Sequence, residues 1–472
     1  MPATPEELEA ATLKALPYSP TEAQAKLIKT LSRFVTLHAD TDVYILNGYA
    51  GSGKTSIIAS LVRAMRQFHD KCVLLAPTGR AAKVISSYGS LRASTIHKRI
   101  YRATSADPTS RDFMIAHNPE RDTIFIVDEA SMITDGGEES RSVLRHLVEY
   151  VYSGDNCAMI LVGDTAQLPP PGEQDSPAMT PSLLRRLGLR PFGTTLETPM
   201  RQREGSGILH NATIVREALA AKEPQAPRLH FRSFRDFRSI EPIDFADELS
   251  SSWATVGKEE TLIITRSNRV ANACNRDVRN RVLYADEALL RGERLVIAKN
   301  DYFWGKKEKS RDLIANGETA IVDWVGQPEE RFGRRFADAE LRFPSDDALV
   351  GVKILLDSLD AEGPNLSSNE MKRLYSEVLA TYTEGALSTR MKKAADDEYF
   401  NAIQAKYAYC VTCHKAQGGQ WKHVYIDMTG LAVTPETINE FLRWFYTAIT
   451  RATERVYLVG CRLPSDISED DW

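Results

Sequence analysis

The stretch Gly48-Tyr49-Ala50-Gly51-Ser52-Gly53-Lys54-Thr55 has the order of glycines, lysine and hydroxyl that a phosphate-binding loop requires. It follows an apolar run at 43–47 and opens a helical pattern at 55–68, the strand-then-helix context in which backbone N–H groups turn toward phosphate oxygens. In that context Gly48, Gly51, Ser52 and Gly53 shape the cradle and Lys54 neutralises the outer phosphates. Thr55 offers a hydroxyl to Mg²⁺.

A second apolar run, 124–127, ends in Asp128-Glu129. Asp128 is expected to hold Mg²⁺, and Glu129 to orient or deprotonate an attacking water, because phosphoryl transfer depends mainly on positioning and charge stabilisation. Such chemistry also needs a cation where the γ-phosphate departs. Arg201 and Arg451 are the candidates, the alternative for each being a surface salt bridge. The implied cofactors are ATP and Mg²⁺.

Cys410-Val411-Thr412-Cys413-His414 has the spacing of a c-type haem attachment site. Haem attachment of that kind belongs to exported chains, and Cys72, Cys157, Cys274 and Cys461 lie too scattered to complete a zinc site. Small buried strand residues are the expected role of Cys410 and Cys413.

Elements that could position these groups follow from the hydrophobic pattern. Strands at 43–47, 72–76, 124–127 and 159–163 alternate with helical stretches at 55–68, 81–86 and 140–152. That rhythm predicts a parallel sheet with helices on both faces. A second α/β rhythm takes in 262–265, 407–411, 424–427 and 456–460. Between its halves, 295–299, the Asn316-Gly317 turn and 319–325 predict a small β-barrel, followed by helices near 369–382 and 388–406. The fold class is α/β, with a first domain over 1–97 and 123–198, a small insertion at 98–122, a second domain over 199–290 and 406–472, and a barrel with helical extension at 291–405.

A length of 472 residues exceeds one hydrophobic core and fits this two-domain plan. Hydrophobic residues at 43% and charged residues at 26% leave no disordered or fibrous majority. Apolar runs are strand-length and the N-terminal MPATPEELEA is acidic, so a membrane or secretory role is not expected and the cytoplasm is the expected location. A net charge of −5 argues against coating nucleic acid by bulk attraction but permits a local basic groove.

The order of motifs resembles superfamily 1 helicases, and within them the 1B group of RecD-type and phage Dda-type enzymes. Thr21-Glu22-Ala23-Gln24 resembles the adenine-reading Q motif, Ala76-Pro77-Thr78-Gly79-Arg80-Ala81-Ala82 motif Ia, and Ser94-Thr95-Ile96-His97 motif Ib. Val127-Asp128-Glu129-Ala130 resembles motif II and Gly163-Asp164-Thr165-Ala166-Gln167 motif III. Arg201 falls in motif IV, Thr412-Cys413-His414-Lys415-Ala416-Gln417-Gly418 is similar to motif V, and Tyr446 to Ala452 is similar to motif VI.

The resemblance implies two RecA-like domains with ATP between them, Gln24 and Gly418 at the nucleotide and Gln167 sensing the γ-phosphate. It places Pro77, Thr78, Thr95, His97, Thr412 and His414 along a single strand, where hydroxyls, ring N–H groups and loop amides bond phosphates without reading bases. In Dda-type enzymes the location of 98–122 carries a duplex-splitting pin, which makes Phe113 the candidate wedge; burial under its own hairpin is the alternative. Asp301-Tyr302-Phe303-Trp304 with Lys306, Lys307 and Lys309 reads equally as a stacking platform or as a packed aromatic cluster. Position 420 holds Gln where the other branch has a ribose-binding glutamate, and Pro77-Thr78 stands where that branch has an aromatic, which favours 5′-to-3′ movement.

The expectation is a DNA helicase on single-stranded and forked DNA, acting with single-strand-binding or replication proteins at the nucleoid. A single-strand translocase or RNA helicase that does not unwind DNA is the alternative within enzymes. A nucleotide-switched scaffold is the alternative outside them.

Overall fold

The computed structural model describes residues 3–89, 91–103, 113–136, 142–197, 205–307, 311, 314–344, 346–363 and 365–466. Two parallel sheets, their central strands buried on both faces, form the frame. The first runs Ser94–Thr95, Lys71–Ala76, Arg121–Val127, Asp155–Gly163, Asp42–Gly48 and Arg190–Leu196 in spatial order. Every neighbouring pair in it is parallel. The second runs Cys410–Thr412, Thr261–Thr265, Trp421–Asp427, Ala452–Val459 and Phe237–Ile240, again parallel throughout. Strands such as Thr261–Thr265, apolar from Leu262 to Ile264 and buried at every residue, are what a sheet covered on both faces demands.

Helices are set by local signals. Thr21 caps Glu22–Leu37 through a reciprocal box with Gln24, and Thr4 does the same with Glu7 for Pro5–Ala15. Gly53, at φ 89°, opens Lys54–Gln67 in a left-handed conformation that a side chain would resist. Ile438–Ile449 is apolar nearly all round and sinks into the core of the second domain.

The third sheet is antiparallel, running Glu329–Arg331, Arg334–Phe343, Thr319–Val325, Arg294–Ile297 and Ala405–Tyr407, with Ala348–Leu355 also paired to Arg334–Phe343. Two departures from the sequence reading fall here. The expected single strand 407–411 is two strands: Ala405–Tyr407 closes this sheet while Cys410–Thr412 joins the second parallel sheet, so the chain changes domain within five residues. The helix expected over 388–406 is Leu387–Ala395 and stops at Asp396. There Asp397 draws the backbone N–H of Tyr399 (2.8 Å) and accepts the Tyr382 hydroxyl (2.8 Å), offering the chain a turn in place of a further helical one.

Tyr101–Ala103 and Phe113–Ile115 pair as a short antiparallel ladder within the 98–122 insertion. Trp304 is 4% exposed and donates its indole N–H to the Asn401 carbonyl at 2.7 Å, with Phe303 edge-on to it, so these rings pack as a cluster. No helix among the described residues is long and apolar enough to cross a membrane.

The antiparallel sheet is pinned to the second domain by a buried ion pair. Arg279, on Asn268–Arg281, meets Glu293 through Nε–Oε1 at 2.7 Å and Nη2–Oε2 at 3.3 Å, with Tyr407 against its guanidinium. Removing one member of such a pair leaves the other charge buried and uncompensated, at a cost of about 3–5 kcal/mol. Arg279→Met is therefore expected to lower the midpoint of the second domain's unfolding in urea markedly, and adding Glu293→Gln to recover most of the loss. A double variant no more stable than the single would contradict this account.

Candidate active site

Strands Asp42–Gly48, Arg121–Val127 and Asp155–Gly163 of the first sheet end at a cleft, the position where open α/β sheets place their ligands. Against them stand 418–420 and 450–451, which lead into Trp421–Asp427 and Ala452–Val459 of the second sheet and close the cleft. Its volume is about 450 Å³, and Lys54, Thr55, Asp128, Glu129, Gln167 and Arg451 all line it. Gly51, Ser52, Gly53 and Gly418 border it as well.

Strand Asp42–Gly48 delivers the phosphate loop. The Lys54 ammonium folds back over it, donating to the Gly48 carbonyl and to the Tyr49 carbonyl at 3.1 Å. A Cβ on Gly48 would lie 2.9 Å from the Lys54 side chain, so the loop has room for this lysine only because glycine stands there.

Strand Arg121–Val127 delivers the acids. Asp128 accepts the Glu129 backbone N–H at 2.9 Å, and Glu129 itself sits at φ 51°, a strained position for a residue with a side chain. Burial, and next the Glu129 charge, push the Asp128 carboxyl up to about 7, while Lys54 works against them. A buried carboxyl held this high is suited to a cation at its side, which would restore the charged form.

From the second domain, Arg451 follows the helix Ile438–Ile449 and is 4% exposed. It donates Nε to the Thr447 carbonyl (3.1 Å) and Nη1 to that of Gly419 (3.4 Å), and its Nη1 stands 3.9 Å from Glu129 Oε1. One side of the cleft thus presents carboxylates and a lysine, the other an arginine. Ser52 Oγ and Gln167 Oε1 are buried here without a hydrogen-bond partner among the described residues. Buried polar atoms left open in this way, beside a lysine and two carboxyls, fit a polyphosphate with its divalent cation.

Gln24 does not line this cleft. It is 2% exposed, with Oε1 accepting the Thr21 N–H at 3.0 Å and Nε2 donating to the Ser52 carbonyl at 2.9 Å, which steadies the phosphate loop from behind. Pro17 and Tyr18 border the cleft instead. Arg201 lies outside the described residues.

Two of the strand candidates, Thr95 and Thr412, end strands of the first and second sheets. Thr95 pairs with Ala76, just ahead of Pro77 and Thr78, and its hydroxyl caps the turn carrying His97 by accepting the Lys98 N–H at 3.2 Å. Thr412 ends its strand opposite Thr265 and leads to His414. His97 and His414 are exposed, and partial desolvation holds both rings below the ordinary imidazole value. Phe113 begins its short strand opposite Ala103; Met114 beside it is 63% exposed.

Sequence reasoning passed over several residues that join the two domains. Arg80 lays its guanidinium 3.8 Å from the centre of the Trp421 ring and donates to the Gln420 carbonyl at 3.1 Å. Tyr446 and Asp164 were visible inside quoted motifs, but their contact joins positions 282 apart in the chain.

Residues 32–173 match the family model described as an AAA domain, and residues 407–459 that of a UvrD-like helicase C-terminal domain. An uncharacterized protein of Methanocaldococcus jannaschii is 21% identical over 478 residues, 88% of this chain and 36% of its own length. The ATP-dependent RecD2 DNA helicase of Deinococcus radiodurans is 29% identical over 132 residues, 27% of this chain and 16% of its own length. The chain therefore spans about a third or less of these curated relatives. Among solved structures, one of Pif1 helicases that concerns DNA unwinding at forked duplexes aligns with a TM-score of 0.50 at 14% identity, covering 96% of this chain and 94% of that one. It shares the two-domain fold.

Gly418, at φ +70°, carries the second domain against the first: a Cβ there would come 3.0 Å from Ala81 Cβ and 3.2 Å from Thr78 Oγ1. An L-residue in that conformation costs about 1–2 kcal/mol before the contact is counted. Gly418→Ala is expected to weaken binding of a fluorescent ATP analogue by about 5- to 30-fold. Unchanged affinity would mean that this contact does not hold the cleft.

Proposed function

We propose that this chain is a superfamily 1 helicase of the RecD- and Pif1-like branch and, within it, an ATP-dependent DNA helicase tracking 5′ to 3′ on single-stranded DNA. The observation that carries this reading is Arg451 of one domain standing 3.9 Å from Glu129 of the other, across a cleft that also holds Lys54. Hydrolysis at such a site requires both domains, so each turnover is tied to their approach and separation.

In this reading Lys54 and the loop N–H groups hold the phosphates, and Glu129 orients the attacking water. Gln167 bonds the γ-phosphate, and Arg451, with Arg201, stabilises charge as that phosphate departs. Thr55 and Asp128 would hold Mg²⁺, whose positive charge offsets that of the phosphates. Gln24 contributes by supporting Ser52 from behind.

Thr78, Thr95 and His97 on the first sheet, and Thr412 and His414 on the second, give two sets of neutral donors for a phosphate backbone. With Gly418 bridging to Thr78, a change in the cleft reaches the strand track directly. Pif1 helicases unwinding forked DNA share this fold, which favours duplex separation over translocation alone. Phe113, on the hairpin at 98–122, is proposed as the wedge. Single-strand-binding or replication proteins are the proposed partners.

The test uses matched DNA duplexes with only a 5′ or only a 3′ single-stranded tail, with Lys54→Ala as control. Unwinding from the 5′ tail, abolished in the variant, is the expected result. Unwinding from the 3′ tail alone would reverse the direction, and strand-stimulated hydrolysis with neither duplex opened would make the protein a translocase.

A further inference from the structure

The loop 164–168 leaves the first domain's strand Asp155–Gly163, so by chain order it belongs to that domain. Its contacts say otherwise. Ala166 and Leu168 are 4% exposed and sit in the hydrophobic core of the second domain, with Phe441, Phe445 and Trp421. Polar groups of the second domain hold the backbone around them: Arg443 Nη1 donates to the Thr165 carbonyl (3.0 Å), Gln417 Nε2 donates to the Leu168 carbonyl (2.7 Å), and the Leu168 N–H donates to Thr447 Oγ1 (2.8 Å). The Thr165 N–H also donates to Asn47 Oδ1 of the first domain at 3.1 Å, so the loop is held by both domains and couples them.

Tyr446 completes the tie. Its hydroxyl donates to Asp164 Oδ2 at 2.9 Å and accepts the backbone N–H of Ala50, in the phosphate loop, at 2.9 Å. Tyr446 is 2% exposed and Asp164 1%, so water does not substitute for either bond. The ring lies on the helix Ile438–Ile449, just ahead of Arg451. One hydroxyl therefore links the phosphate loop, the acid that begins 164–168 and the helix that carries the arginine.

Resting on the reading of the cleft as an ATPase site, we propose that Tyr446 is a positioning residue for hydrolysis. Its hydroxyl locks the phosphate loop and the loop 164–168 to the helix bearing Arg451, so that Gln167 and Arg451 reach the γ-phosphate as one unit. A hydroxyl that merely satisfied a buried N–H would, on removal, loosen the loop and lower stability and nucleotide affinity. A positioning hydroxyl affects the transition state, and its loss falls on kcat.

The experiment is steady-state ATP hydrolysis with saturating single-stranded DNA, comparing the wild type with Tyr446→Phe, Thr447→Val and Thr447→Ser in the full chain. Tyr446→Phe is expected to lower kcat at least tenfold with KM within threefold. Thr447→Val, which frees the Leu168 N–H, is expected to follow it, while Thr447→Ser, which keeps the hydroxyl, stays near the wild type. A Tyr446→Phe kcat within twofold of the wild type, or a change confined to KM, overturns the proposal. Should Tyr446→Phe fail to fold, equal kcat for Thr447→Val and Thr447→Ser overturns it. A wild type that hydrolyses no ATP removes the ATPase reading and this proposal with it, a result separable from the others because it appears without any substitution.

Discussion

Arg451 facing Glu129 at 3.9 Å across a cleft is the contact on which the remaining architecture depends. A guanidinium and a carboxylate at that distance attract, and a polyphosphate between the domains would offer the guanidinium a stronger partner. Every element that positions either group serves this choice. Strand Arg121–Val127 ends at the acids, the helix Ile438–Ile449 ends just short of the arginine, and strand Ala452–Val459 begins directly after it. Because the two charges come from different domains, neither half of the chain makes the site alone.

Much of this was legible from residue order. The phosphate loop, the acid pair and the second-domain arginine are short local patterns whose chemistry constrains their surroundings, and all of them line the one cleft. The central parallel strands were legible for a related reason: a strand buried on both faces has to be mainly apolar, as 159–163 and 262–264 are. Edge strands carry no such mark. Arg190–Leu196 is largely open to solvent, with Pro191 and Gly193 inside it, and nothing in its composition announces a strand.

Other features were hidden because they depend on distant partners. That 405–412 divides between two sheets follows from pairing with Arg294–Ile297 on one side and Thr261–Thr265 on the other. Gln24 reads as a base-recognition residue by its neighbours in sequence, yet its two ends are engaged by Thr21 and Ser52. The Tyr446 hydroxyl meets Ala50 across 396 positions of chain, a contact no local pattern encodes. The seam between the domains, made of Arg80 on Trp421, Gly418 against Ala81 and the tied loop 164–168, was the least legible part of the site.

The central claim is that a single strand and a nucleotide act on one two-domain device. The rate of ATP hydrolysis by the unmodified chain, measured with and without single-stranded DNA, tests it most directly. If the strand candidates on the two sheet edges bring the domains together, DNA accelerates hydrolysis by on the order of tenfold or more. Hydrolysis at one rate whether or not DNA is present would contradict the account, since the cleft would then be working without the strand track.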